Sequence, residues 1–409
     1  MNEDIVENNI NNSIEENIRV QILRYVMING SFIITDIVKV TGYSVTTIIK
    51  YVNSLIESNF IKVIGKEKNN YKGRQAIIYG INDDSSFFIG VDIKNNILSI
   101  AMMNLLGQII YKETHTEFSF NNNHQSLDYV CNKTLEFINK QNNIDRSKII
   151  SICFNLSGRV NSKLGTSASV YNFEEMQDTP LAEILSERLG VKAYIENDTK
   201  SMAFGEYASW LNKKFKDVIY INVGWGLGAA FIINGKLYSG MDGYSGELGH
   251  VNMYNNNILC HCGKKGCLET EISGRAISRK IAERINNGEM SILSKKVKEG
   301  KILTIRDIIE AADKEDPLTI EIIEQTSSEL GHQIAGLLNL FNPEAIVFGG
   351  ELSEADSIYF ARPIELSIKK YSLKLINQKV KILTSELKDD AGVIGACYIA
   401  RSRSYNDLF

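Results

Sequence analysis

The chain opens with apolar residues at helical spacing. Ile14, Ile18, Ile22, Leu23 and Val26 predict a first helix that ends near Asn29-Gly30. Thr35 reads as the cap of a short second helix carrying Ile37 and Val40, with Gly42 as its stop. Ser44 reads as the cap of a third helix, with Val45, Ile48, Ile49, Val52, Leu55 and Ile56 on its apolar face. The pattern then becomes that of a hairpin: Phe60 to Ile64 and Arg74 to Ile81 as strands, Gly65 to Gly73 as a polar turn. Helices joined by a tight turn and followed by a hairpin predict a winged helix-turn-helix over residues 13–82, after a loose tail at 1–12.

From Phe87 the pattern is α/β. Phe87 to Ile93, Ile97 to Met103 and Gly107 to Lys112 predict a three-strand meander, followed by a helix at Leu127 to Asn139 and a strand at Ile149 to Leu156. Leu181 to Leu189 predicts a helix, and Val191 to Ile195 a strand that delivers Glu196-Asn197-Asp198. Val218 to Val223 and the segment up to Ile233 start a second meander. Helices at Ile305 to Asp313 and Leu318 to Phe341 and a strand at Ala345 to Phe348 follow. Strand triplets followed by helices, occurring twice, predict a duplicated α/β domain over 87–409, with two lobes around a cleft.

Composition narrows the partners. No apolar run approaches the roughly 18–20 residues of a membrane span, and the N-terminus has no apolar signal segment, so a cytoplasmic protein is expected. The net charge of −4 means that any nucleic-acid surface must be local. Residues 50–74 supply one, with six basic residues against two acidic ones. Thr46, Thr47 and Lys50, early in the third helix, are placed to face a major groove of double-stranded DNA. Ser44 and the wing residues Gly73 and Arg74 complete the expected contact set. A solvated charged loop, or a module for protein contact, has the same composition.

The strongest chemical signal is Gly249-His250, nine residues, then Cys260-His261-Cys262-Gly263-Lys264-Lys265-Gly266-Cys267-Leu268-Glu269. Three thiolates and one imidazole nitrogen make a closed tetrahedral set for structural zinc. The expected ligands are His250, Cys260, Cys262 and Cys267, with His261 as a rival to His250. Cys131, Cys153 and Cys397 stand alone in apolar runs, as buried free thiols do.

On these residues the chain resembles the ROK (repressor, open reading frame, kinase) family, whose fold is that of the actin-like ATPases. Residues 249–269 follow its zinc signature, and Glu247-Leu248-Gly249-His250 its Glu-x-Gly-His motif. Asn197-Asp198 followed by Gly205-Glu206 is similar to its sugar-site segment, and Lys72-Gly73-Arg74 resembles the wing of its repressor branch. The resemblance implies sugar contacts from Gly158, Asn197, Asp198, Glu247, His250 and Glu269, with Asn172 as a further candidate. It gives Asp198 the place of a kinase's general base. Lys200, and Gln75 in place of the wing proline, depart from the family pattern.

Kinases of the family imply three nucleotide contacts, and two are altered here. Asp-x-Gly-Gly-Thr becomes Asp92-Ile93-Lys94-Asn95-Asn96, and Gly-Thr-Gly becomes Gly224-Trp225-Gly226. Side chains at 94 and 95 would crowd phosphate oxygens that need bare backbone N–H groups. Gly349-Gly350 remains, where a turn would equally call for it. The expectation is a non-enzymatic, sugar-responsive transcriptional repressor with structural zinc. Its expected partners are operator DNA and a sugar or sugar phosphate, and it is expected to act as a homodimer or homotetramer. The alternative is a carbohydrate kinase with an appended DNA-binding domain.

Overall fold

The computed structural model describes residues 17–67, 75–94, 96–171 and 179–405. The expected tail at 1–12, the wing residues Gly73 and Arg74, and the candidates Asn95 and Asn172 lie outside the described residues.

The N-terminal unit runs α1 (17–29), β1 (Ser31–Phe32), α2 (Ile34–Thr41), α3 (Val45–Glu57), β2 (Ile61–Lys66) and β3 (Ile77–Ile81). β3 pairs antiparallel with both β1 and β2. β1 is two residues long, too short to leave a periodic signal. Ser44 caps α3, accepting the Thr47 N–H at 3.1 Å, and Gly42 ends α2 in the left-handed conformation with φ of 74°. Two local expectations need correction. Thr35 lies inside α2, whose cap is Ile33, and the Asp36 carboxylate accepts the Ile33 N–H at 3.0 Å. Val45 and Ile49 are 49% and 41% exposed, because the buried stripe of α3 is Ile48, Tyr51, Val52 and Leu55.

The first lobe begins with the meander β4 (Phe87–Lys94), β5 (Ile97–Asn104) and β6 (Ile109–His115). After α4 (His124–Lys140), β7 (Ile149–Leu156) runs parallel to β4. The short hairpin β8 (Val160–Asn161) and β9 (Thr166–Ser167), then α5 (Leu181–Leu189), lead to β10 (Lys192–Asn197), parallel to β7. Strand order is β10-β7-β4-β5-β6. α6 (Asp198–Ser209) connects to the second lobe, which repeats the plan with β11 (Val218–Val223), β12 (Leu227–Ile233) and β13 (Lys236–Tyr238) as its meander. Five helices follow: α7 (Glu269–Ile272), α8 (Gly274–Asn286), α9 (Ser294–Lys298), α10 (Ile305–Asp313) and α11 (Pro317–Phe341). β14 (Ala345–Gly349), α12 (Ala361–Tyr371), α13 (Lys374–Asn377) and β15 (Lys381–Thr384) complete the second lobe. Its order, β13-β12-β11-β14-β15, is the first lobe's order in reverse listing, with the two parallel strands again on one side of the meander. The repeat expected from the strand pattern is present.

The last helix, α14 (Ala391–Ser404), returns to the first lobe and lies between β4 and α6. A side chain cannot fit where it crosses α6: a Cβ on Gly395 would stand 1.8 Å from the Ser201 carbonyl oxygen. The far end of α14 faces the N-terminal unit. Val26, Ile48 and Val52 share one apolar core with Phe88, Ala396, Ile399 and Ala400. Just past the helix, the Tyr405 ring packs edge-on against Phe60 and Phe88, with centroids 5.6 and 5.8 Å away. Its hydroxyl shares a hydrogen bond of 2.9 Å with Ser86. No helix among the described residues is long and apolar enough to cross a membrane.

Candidate functional site

A cleft of about 330 Å³ lies between the lobes. Gly158, Asn197, Asp198, Glu247, His250 and Glu269, far apart in sequence, all line it. Parallel pairing of β7 with β10 sets Leu156 beside Asn197, so both strands end at the same level and deliver Ser157-Gly158 and Asn197-Asp198 together. Asn197 caps α6 through its side-chain oxygen, taking the Lys200 N–H at 3.1 Å, while its amide donates to the Gly158 carbonyl at 2.9 Å. Asp198 opens α6. It accepts from Ser157 Oγ at 2.9 Å and from Thr199 N at 2.7 Å. Burial raises its pKa above the ordinary value against these hydrogen bonds, and the nearby Asp92 carboxylate adds to the rise.

The second lobe brings the other carboxylates. Glu269 is buried, with both oxygens engaged: Oε2 takes the Leu227 N–H at 3.1 Å, and Oε1 lies 2.9 Å from His261 Nδ1. Glu247 stands more open to the cleft, with its carboxylate 3.6 Å from His250 Nε2.

The other ring nitrogen of His250 faces the cysteines. His250 Nδ1 is 3.5 Å from Cys260 Sγ, and the Cys262 and Cys267 sulfurs are 3.6 Å apart. The four ligand atoms lie within 4.8 Å of one another. Sulfur and nitrogen at bonding distance from one tetrahedral zinc ion stand about 3.5–3.8 Å apart. The donor set therefore fits a four-coordinate ion. His261 falls in a different group, with Cys260 and Glu269. The tight fold of the loop explains its glycines: Gly266 has φ of 74°, and a Cβ there would stand 2.1 Å from the Tyr254 carbonyl oxygen. Burial, with the adjoining Cys262 and Cys260, pushes the Cys267 thiol up to about 12.

At the other end of the cleft the altered loops have taken up internal contacts. Trp225 packs partly into the second-lobe core, with the Arg275 guanidinium 5.9 Å from its ring centre. Lys94 Nζ donates to the Asp389 carbonyl, just before α14, at 3.1 Å. The retained Gly349-Gly350 has steric reasons of its own, since a Cβ on Gly349 would stand 1.8 Å from the Tyr220 hydroxyl and one on Gly350 2.4 Å from Asn222 Oδ1.

Several residues of consequence carried little sequence signal. Lys200 is 2% exposed and donates to the Gly243 carbonyl, on the loop that leads to Glu247. Burial holds its ammonium below the ordinary pKa, against the pull of Glu196 and Glu247. Its departure from the family pattern was the only hint. Arg403, on α14, pairs with the fully buried Glu196 and donates to the Ile195 carbonyl at 3.0 Å. Nothing local marks a residue more than two hundred positions away as its partner.

In the N-terminal unit, Ser44, Thr46 and Lys50 are exposed and Thr47 is half-buried, its hydroxyl 2.8 Å from Ser44 Oγ. Lys62 pairs with Asp83, outside the charge window counted above, which lowers the net basic charge of this face.

Two α/β lobes of the same strand plan, a carboxylate-lined cleft and an adjoining Cys₃His cluster follow a separate N-terminal unit. The chain belongs to the ROK family, whose family model matches residues 88–403. It is 28% identical to the xylose repressor of Caldicellulosiruptor bescii, over 91% of this chain and 92% of that one. It is 30% identical to the DNA-binding transcriptional dual regulator NagC of Escherichia coli K12, over 88% and 86%. A glucokinase of Thermotoga maritima is 27% identical, over 77% of this chain and 97% of its own. The crystal structure of a ROK family transcriptional regulator, a homologue of the E. coli MLC protein, superposes with a TM-score of 0.80 at 27% identity, covering 97% of this chain and 98% of that one.

Proposed function

We propose that this chain is a sugar-responsive transcriptional repressor. Residues 13–82 would form a winged helix-turn-helix that binds operator DNA, and residues 87–409 a domain that senses a sugar. The observation that carries the reading is coverage. The regulators match both the N-terminal unit and the lobes, whereas the glucokinase leaves about a quarter of the chain unmatched. Ser44, Thr46, Thr47 and Lys50, with Gly73 and Arg74 of the wing, would contact DNA, two subunits reading two half-sites.

In the cleft, Asp198 and Glu247 would accept hydrogen bonds from sugar hydroxyls, with Gly158, Asn197, His250 and Glu269 completing the wall. Zinc held by His250, Cys260, Cys262 and Cys267 would supply no reaction chemistry; it would fix the loop. His250 bound through Nδ1 would turn Nε2 toward Glu247 and the sugar. Closure on a sugar would move α6 and α14, and through α14 the core shared with the N-terminal unit. The sugar must favour the state that does not bind DNA.

The test is fluorescence anisotropy of the full-length protein on DNA from upstream of its own gene, titrated with xylose, glucose and N-acetylglucosamine. One sugar is expected to release the DNA. Failure to bind the DNA, or release by none of them, overturns the reading. The kinase alternative is favoured by the intact Asp198, and a coupled ATP-turnover assay with the same sugars decides it. Turnover above background, lost in Asp198→Asn, would establish an enzyme.

A further inference from the structure

The part of the cleft beyond Asp198 carries more acidic than basic groups: Asp92, Glu351, Glu354 and Asp389 against Lys94 and Lys388. Lys94, at the end of β4, donates to the Asp389 carbonyl, in the segment that leads from β15 into α14. Its ammonium is 3.6 Å from the buried Asp92 carboxylate. Glu351 and Asp389 line the same wall. Burial works against the charge on Lys94, yet Asp92, Asp389, Glu351 and Asp198 together hold its pKa above the ordinary value. Burial also raises the pKa of Glu351. The residues lining the whole cleft include seven carboxylates and three cations. One of those cations, Arg275, sits at the Trp225 ring, Lys94 is already paired with Asp92, and the third, Lys388, is next to Asp389 in the chain.

A phosphate ester placed beyond Asp198 would meet this wall. It would find Lys94 already engaged by Asp389 and Asp92, with the Glu351 carboxylate on the same wall. Like charges in a partly desolvated cleft repel more strongly than they do in water. A neutral sugar meets no such opposition, because carboxylates accept hydrogen bonds from hydroxyls.

We propose that Lys94 is a specificity-determining residue: held by Asp92 and the Asp389 carbonyl, it occupies the acidic part of the cleft beyond Asp198 and restricts the effector to sugars without a phosphate. The proposal rests on the sugar-sensing reading above.

The test is calorimetric titration of the full-length protein, with and without magnesium. The probes are xylose and the pairs glucose with glucose 6-phosphate and N-acetylglucosamine with its 6-phosphate. A free sugar is expected to bind, with its phosphate ester at least about tenfold weaker. In Glu351→Gln/Asp389→Asn, which keeps Lys94, the gap is expected to narrow about tenfold, with free-sugar affinity little changed. An ester that binds as tightly as its parent sugar, or more tightly, overturns the proposal and makes Lys94 a phosphate ligand, leaving sugar sensing intact. An unchanged gap in the double variant overturns the role of the acidic wall. Binding of neither form overturns the sugar-sensing reading, and this proposal with it.

Discussion

Arg403→Met is the sharpest test of how the C-terminal helix supports the cleft. Glu196 is fully buried at the end of β10, one residue before Asn197. One of its oxygens accepts the Asn197 N–H at 2.9 Å; the other is paired with Arg403. Arg403 also donates to the Ile195 carbonyl and sits 5.7 Å from the Tyr194 ring. Removing one partner of a buried ion pair costs about 3–5 kcal/mol, because the other charge is left unpaired. Two features favour the lower end. The Arg403 side chain keeps 23% of its surface exposed, and the Lys200 ammonium also acts on Glu196. The expected loss for Arg403→Met is about 3 kcal/mol. Glu196→Gln/Arg403→Met removes the stranded charge and should lose only about 1–2 kcal/mol, the value of the remaining hydrogen bonds. The assay is urea unfolding of the full-length chain followed by circular dichroism, with both single variants measured to complete the cycle. A loss under about 1 kcal/mol for Arg403→Met, or additivity of the two substitutions, would refute the reasoning. Because β10 delivers Asp198, sugar affinity should fall together with stability.

Two further expectations concern the metal and the DNA. Purified protein should carry close to one zinc per chain by elemental analysis, and Cys262→Ser should lose the metal and the sugar response while retaining α14 and the N-terminal core; a wild-type protein without metal would remove the cluster from the mechanism. Lys50→Ala should weaken operator binding and lower the slope of log affinity against log salt by about one if Lys50 meets a phosphate, whereas Thr46→Ala should weaken binding with the slope unchanged. Equal affinity for both variants and the parent would mean that α3 does not face the DNA.

Local pattern in the sequence determined much of this protein. Helical spacing located α1 and α3, and the Ser44 cap and the Gly42 stop marked boundaries within a residue, because these signals depend on neighbours within one turn. The repeated strand triplet announced two equivalent lobes. The spacing of His250 and the cysteines marked them as a candidate ligand set, and the fold brings their ligand atoms within 4.8 Å of one another. What only the tertiary structure decided are contacts between distant segments. Parallel pairing of β7 with β10 brings Ser157 to Asp198, and folding gives Asp83 to Lys62 and Glu196 to Arg403. His261, a rival metal ligand by spacing, stands 2.9 Å from Glu269 Oε1 and 3.8 Å from Cys260 Sγ. Lys94 reads as a side chain obstructing a phosphate loop, and the fold gives it partners in Asp92 and in the Asp389 carbonyl almost three hundred positions away. A side chain's partner is set by which strands and helices pack side by side, and that is a property of the whole chain's core rather than of any window within it.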